Sequence, residues 1–283
     1  SAHGGARVYQ SDASPAAQLG RVFMANIHEH AVLSDVLERK GSGFTARHGE
    51  DFVMANNAQW VGFSVEIGPD GALYVLDWHD ADICGADVLH HETGRIFRIA
   101  PTESRAADWP GRYSDLRTMS DAELVALQTS RSDWHARRAR VILQGRAARG
   151  TLGPQTRADL LRMFKTDGNA DWRLRAMWAL HVTGGWTSDE LGELIGALSD
   201  RDEHVRAWAI QLLCEDGTPA PNALELFERM ARAERSAVVR LYLAAALQRL
   251  DHAARWNIAA ALLTHAEDAA DQINTCIACN QAC

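Results

Sequence analysis

The sequence predicts a β part over residues 1–101 followed by an α part over residues 120–270. Three observations carry that expectation. The stretch GPDG, Gly68–Gly71, stands between FSVEI and ALYVLDW as a hairpin turn: Pro69 presets φ at the first corner, and Gly71 accepts a conformation that a Cβ would resist. From about Ser120 the texture changes to Ala, Leu and Arg at helical spacing. Within that part a weak motif recurs, as DWHARRARVIL at Asp133, DWRLRAMWAL at Asp171, DEHVRAWAIQLL at Asp202 and SAVVRLYLAAAL at Ser236. Aligning Arg137, Arg175, Arg206 and Arg240 gives steps of 38, 31 and 34 residues. Such steps fit helix pairs stacked as an α-solenoid.

Along the chain, Arg21–Ile27, Val32–Leu37, Phe63–Ile67, Ala72–Trp78 and Arg95–Ile99 are short, rich in β-branched and aromatic residues, and bounded by Gly, Pro, Asp and Asn. They read as strands of a sandwich or a propeller. Residues 102–119 read as a linker. The helical part is broken at Gly150–Pro154, Asp167–Asn169, Gly184–Trp186 and Gly217–Pro221. Trp172, Trp178, Trp208 and Trp256 fall at helix-packing positions, and residues 271–283 form a Cys-rich tail.

Composition narrows the function. Residues 1–100 carry 7 Lys+Arg against 13 Asp+Glu, and the whole chain has a net charge of -8. An acidic surface repels phosphate backbones, which argues against nucleic acid as a partner. The longest apolar runs, such as LYLAAAL at Leu241–Leu247, fall far short of the ~20 residues that span a bilayer. The start, SAHGGARVYQSD, has neither an initiating Met nor a basic-then-apolar signal region, so the expectation is a chain that begins inside a longer protein.

The strings RVFMANIHEHAVLSDVLERKGSGFTARHGEDFVMAN, GPDGALYVLDW and HHETGRIFRI, followed by helical repeats, resemble the large membrane-bound dehydrogenases of bacteria, over about residues 1–270. That family is similar to the sorbosone and soluble glucose dehydrogenases in its β-propeller, continues into HEAT-like repeats, and often ends in a c-type cytochrome module. The resemblance implies that residues 1–101 are the last blades of a propeller and residues 120–270 a HEAT-like α-solenoid. It further implies a fragment of an enzyme that oxidises a sugar or alcohol, inactive alone, with a quinone and calcium as cofactors of the intact parent. The implied address is periplasmic, secreted or membrane-associated. The opposing reading is a non-enzymatic scaffold whose solenoid binds a protein partner.

The candidate site residues lie in the β part. In and around the loop HDADICG that follows ALYVLDW, Asp77, Asp80, Asp82 and Asp87 are hard oxygen ligands of the kind calcium takes, although their spacing matches no calcium loop. His79 is a candidate to take or give a proton. His3 and His28 flank strands, and the propeller quinoproteins that the fold resembles use a histidine to take the substrate hydroxyl proton. His28, Asp77 and His79 are therefore the catalytic candidates. His90 and His91 read as loop surface. Cys84 stands among carboxylates that blunt a thiolate, and Cys214 falls on the apolar side of a helix.

Cys276, Cys279 and Cys283 in INTCIACNQAC have metal-ligand spacing that suits an iron-sulfur cluster. A c-type haem is disfavoured, because Asn280 stands where that motif needs His. The string resembles the cluster-binding segment of the 2,4-dienoyl-CoA reductases. Those need a fourth cysteine, so three thiolates alone are an incomplete set and no stable cluster is expected.

Overall fold

The computed structural model describes residues 3–80 and 92–271. The chain folds as two compact units. The first runs through Ile142 apart from Arg39–Phe44, which belong to the second with the residues from Leu143 onward.

The first unit holds two antiparallel sheets. In one, β1 (His3–Val8), β2 (Val22–Asn26), β3 (Ala31–Lys40) and β4 (Gly43–His48) lie side by side, and β5 (Val53–Met54) also pairs with β3. The other is the meander β6 (Gly62–Ile67), β7 (Leu73–Asp77) and β8 (Arg95–Ile99). The expected hairpin is present: Ile67 pairs with Leu73, the Gly71 amide donates to the Gly68 carbonyl at 3.0 Å, and Gly71 has φ +70°. β1, which the sequence pattern does not announce, packs on β6. Its two glycines allow this approach: a Cβ on Gly4 would stand 2.5 Å from the Phe63 carbonyl oxygen, and one on Gly5 2.5 Å from the Val65 nitrogen. Between the sheets Tyr9, Phe23, Val32, Trp60, Val65, Leu73 and Val75 form the buried core. The first unit also takes in α1 (Asp121–Ala126), started by a Ser120–Glu123 capping box, and the front of α2 (Asp133–Ala148).

The second unit is helical, with α3 (Pro154–Thr166), α4 (Ala170–Val182), α5 (Leu191–Gly196), α6 (Glu203–Leu213), α7 (Pro221–Ala233), α8 (Ala237–Ala246) and α9 (His252–Leu262). Pro154 and Pro221 open α3 and α7, where a missing N–H costs nothing. Asn169, Asp202 and Ser236 cap α4, α6 and α8 with their side chains. α4 contacts α6 and α6 contacts α8, while α3 packs on α4 and α7 on α9. The chain is thus β then α.

An arginine clamp recurs along these helices at steps of 33 and 34 residues. Arg173 donates to the Asp167 carbonyl at 3.0 Å and ion-pairs with Asp200 at 2.7 Å. Arg206 donates to the Asp200 carbonyl at 2.8 Å and grips Glu234 with two hydrogen bonds of 3.0 and 2.7 Å. Arg240 donates to the Glu234 carbonyl at 2.9 Å and grips Asp268 with two of 2.6 Å. The three acceptor carboxylates, at 200, 234 and 268, are spaced by 34 residues. Asp200 and Glu234 therefore each serve one arginine by side chain and the next by backbone. The arginine that continues the series before Arg206 is Arg173, two positions ahead of the Arg175 of the sequence alignment. Arg137, which that alignment also included, is exposed and faces Asp133 on its own helix at 3.6 Å.

Candidate functional site

Two of the candidate residues, Asp77 and His79, lie at the end of β7. Asp77, its last residue, is fully buried. One carboxylate oxygen accepts from the Val61 amide at 2.8 Å and the His79 amide at 2.9 Å. The other accepts from Arg95 of β8, whose Nε lies at 2.8 Å and Nη2 at 2.6 Å. Every lone pair aimed inward is thus committed. The guanidinium faces the buried carboxylate, and the pair stitches β7 to β8 where Asp77 and Arg95 lie in register.

His79 takes a left-handed backbone conformation, φ +54°, which the Asp77 carboxylate stabilises through the His79 amide. Its ring Nδ1 is 2.7 Å from the Thr93 hydroxyl. His28 lies exposed in the β2–β3 turn, where its amide donates to the Asn26 carboxamide oxygen at 3.1 Å. His3 is exposed in β1 and Asp80 is buried. Asp82, Cys84, Asp87, His90, His91 and the tail cysteines Cys276, Cys279 and Cys283 lie outside the described residues.

Two groups that the sequence reading passed over complete this end of the sheet. Arg95 is one. The other is His30, φ +54°, whose Nδ1 lies 2.6 Å from the Trp60 carbonyl. The Trp60 carbonyl and the Val61 amide belong to one peptide group, so His30 and Asp77 hold its two ends. At the opposite end of β7, Asp70 repeats the device. Buried in the GPDG turn, it accepts from Arg98 at 2.6 Å and from the Ala72 amide at 3.2 Å. Burial works against its charge, but the Arg98 and Ala72 hydrogen bonds outweigh it and hold the carboxyl below the usual range. RIFRI thus supplies an arginine to each end of β7, a pattern visible in the sequence only once the strand register is known.

Beside Asp77, a cleft of about 220 Å³ is walled by Val53, Trp60, Phe97 and Ile99, with Asn57 and Arg95 also lining it. None of His28, Asp77 and His79 lines it. Among the described residues no three His, Cys, Asp or Glu side chains gather as a metal-binding set. Calcium does not fit Asp77 either, since its oxygens already face a guanidinium and two amides.

Residues 1–103 match a domain of unknown function, DUF7133. The matched span takes in β1–β8 and ends before the 3-10 turn at Arg105–Asp108. No curated protein and no solved structure matches the chain.

In the second unit, Cys214 is buried, and burial pushes its thiol up to about 12, against a small opposing pull from Arg249. It is a packing residue with no thiolate to offer at neutral pH. Trp178 and Trp208 stack edge to face at 5.1 Å and Trp208 meets Tyr242 at 6.4 Å, an aromatic row across α4, α6 and α8. Trp256 is 46 % exposed and packs on His252 of its own helix turn. Among the described residues no helix is long and apolar enough to cross a membrane.

Proposed function

We propose that this chain acts as a recognition scaffold and has no dehydrogenase activity of its own. The observation that carries this reading is the state of Asp77. A general base needs a free lone pair aimed at substrate, whereas Asp77 is buried and occupied by Arg95 and two amides. His79 is turned to Thr93, and His28 stands exposed in a different turn.

The helical part supports the binding role. In this reading α3–α9 are HEAT-like units of an α-solenoid, with the Arg173, Arg206 and Arg240 clamps setting the spacing of successive pairs. Such arrays present long surfaces to proteins. The half-buried row Trp178–Trp208–Tyr242 supplies aromatic anchors of the sort that concentrate binding energy. The two sheets serve as blades of a propeller in the family that the sequence resembles. Among the described residues there are two sheets, and a closed propeller needs about four blades or more. Sugar or alcohol oxidation would then require further blades with their quinone and calcium.

The test is direct. Chain supplied with pyrroloquinoline quinone, calcium, a dye acceptor and a panel of aldoses and primary alcohols should reduce no dye above the protein-free rate. Turnover that disappears in Asp77→Asn or His79→Gln would sink the scaffold reading.

A further inference from the structure

A second cleft lies elsewhere in the first unit, and none of the candidate residues above touches it. It has a volume of about 510 Å³, within the ~300–1,000 Å³ range of small-ligand sites. One wall is a single face of α2: Trp134, Arg137, Arg138 and Val141 follow the i, i+3, i+4, i+7 spacing that lines up side chains on a helix. The facing wall comes from the end of β1 with the residues after it, and from the end of β6. An antiparallel bridge between Ser11 and Ser132 holds the chain after β1 against the start of α2.

Charge in this cleft opposes that of the chain. Three guanidiniums, of Arg7, Arg137 and Arg138, stand against the carboxylates of Glu66 and Asp133, in a protein of net charge -8. Arg7 is spent on Glu66, which it grips with two hydrogen bonds, and Arg137 lies 3.6 Å from Asp133. Arg138 is exposed and makes no ion pair within 4 Å among the described residues; the carboxylate that feels its charge, Asp115, is itself gripped by Arg117. A guanidinium with its fork unfilled, on the wall of a cleft, matches a planar carboxylate in two parallel hydrogen bonds.

A second observation points the same way. Ser11 is 1 % exposed, lines the cleft, and its hydroxyl has no hydrogen-bond partner. Buried polar atoms are nearly always satisfied, so an orphan hydroxyl on a cleft wall marks a place where a ligand group can bond. Gln10 beside it adds a further donor and acceptor. Opposite, Trp134 and the half-exposed Val141 give an apolar wall.

We propose that this cleft binds a carboxylated sugar, a hexuronate alone or as the end of an acidic oligosaccharide. The carboxylate pairs with Arg138, ring hydroxyls bond Ser11 and Gln10, and the apolar ring face lies on Trp134. A single guanidinium with an unfilled fork suits a monoanion; a phosphate dianion would bring one charge too many into the cleft.

Isothermal titration of the full chain with sodium glucuronate tests this, with glucuronamide as the neutral isostere and acetate as the anion without a ring. Glucuronate should bind saturably, and glucuronamide and acetate at least about tenfold more weakly, since each lacks one half of the recognition. Arg138→Ala, an exposed change that leaves the fold intact, should weaken glucuronate about tenfold, and Trp134→Leu about fivefold. Absence of saturable heat with glucuronate overturns the proposal. So does unchanged affinity in Arg138→Ala, or acetate or inorganic phosphate displacing glucuronate at equal concentration. Circular dichroism of Trp134→Leu checks its fold, and Arg138→Ala decides the matter whatever that variant does.

Discussion

Glu234→Ala strikes the centre of the arginine ladder, because Glu234 closes α7, receives Arg206 on its side chain and offers its carbonyl to Arg240. The carboxylate is 9 % exposed and the Arg206 side chain 16 %. Removing it leaves a largely buried guanidinium without a counter-charge and also strips the Ser236 amide of its acceptor at 2.8 Å. Breaking a buried pair costs about 3–5 kcal/mol. The partial exposure of Arg206 lets water relieve some of that, so about 3 kcal/mol is expected for the helical unit. At ~2–4 °C per kcal/mol, its calorimetric transition should fall by about 6–12 °C. Lys165→Ala is the matched control: its pair with Glu193 is 45 % and 38 % exposed, and exposed pairs contribute less than about 1 kcal/mol. Replacing both partners, Arg206→Met with Glu234→Met, should recover most of the loss, since no buried charge is then left alone. A Glu234→Ala transition no lower than that of Lys165→Ala would refute the claim that the ladder holds the helices together.

Two further outcomes follow from other parts of the molecule. His135 is buried and burial lowers its pKa below the usual 6.5, with the hydrogen bond to the Gly111 carbonyl opposing in part. The unfolded chain then takes the proton first, so stability from the neutral ring is present above the unfolded value and is lost as pH falls through the folded one. Denaturation of the first unit across this range should show that loss, and His135→Gln should flatten it; an unchanged slope would contradict the assignment. In the tail, anaerobic reconstitution with iron and sulfide should leave no stable cluster on Cys276, Cys279 and Cys283, whereas a brown protein with about four irons per chain, bleached by Cys279→Ser, would overturn that expectation.

Local chemistry made much of the architecture legible. Pro69 and Gly71 specify their turn whatever surrounds them, and the turn in turn sets the register of Ile67 against Leu73. Period and caps did the same for the helices: Asn169, Asp202 and Ser236 stand at their starts and Pro154 and Pro221 at first positions, each acting within one helical turn. The acidic loop of Asp77 and His79 was also legible as a cluster, but not as a structure. Residue type marks Asp77 as a ligand or a base, and only the pairing of β7 with β8 brings Arg95, eighteen positions on, to cancel its charge. The same limit explains Arg173 and Arg175, which differ by two positions on one helix: period alone ranks them alike, while the helix face that meets Asp200, 27 residues away, selects Arg173. It explains the Trp134 cleft as well. Trp134, Arg137, Arg138 and Val141 announce a helix face from spacing alone, but the facing Arg7, Ser11 and Glu66 arrive from more than sixty residues away. Backbone preferences act over a few residues and so are written locally, whereas charge cancellation and cavity shape depend on which distant surfaces meet, and that is settled only by packing.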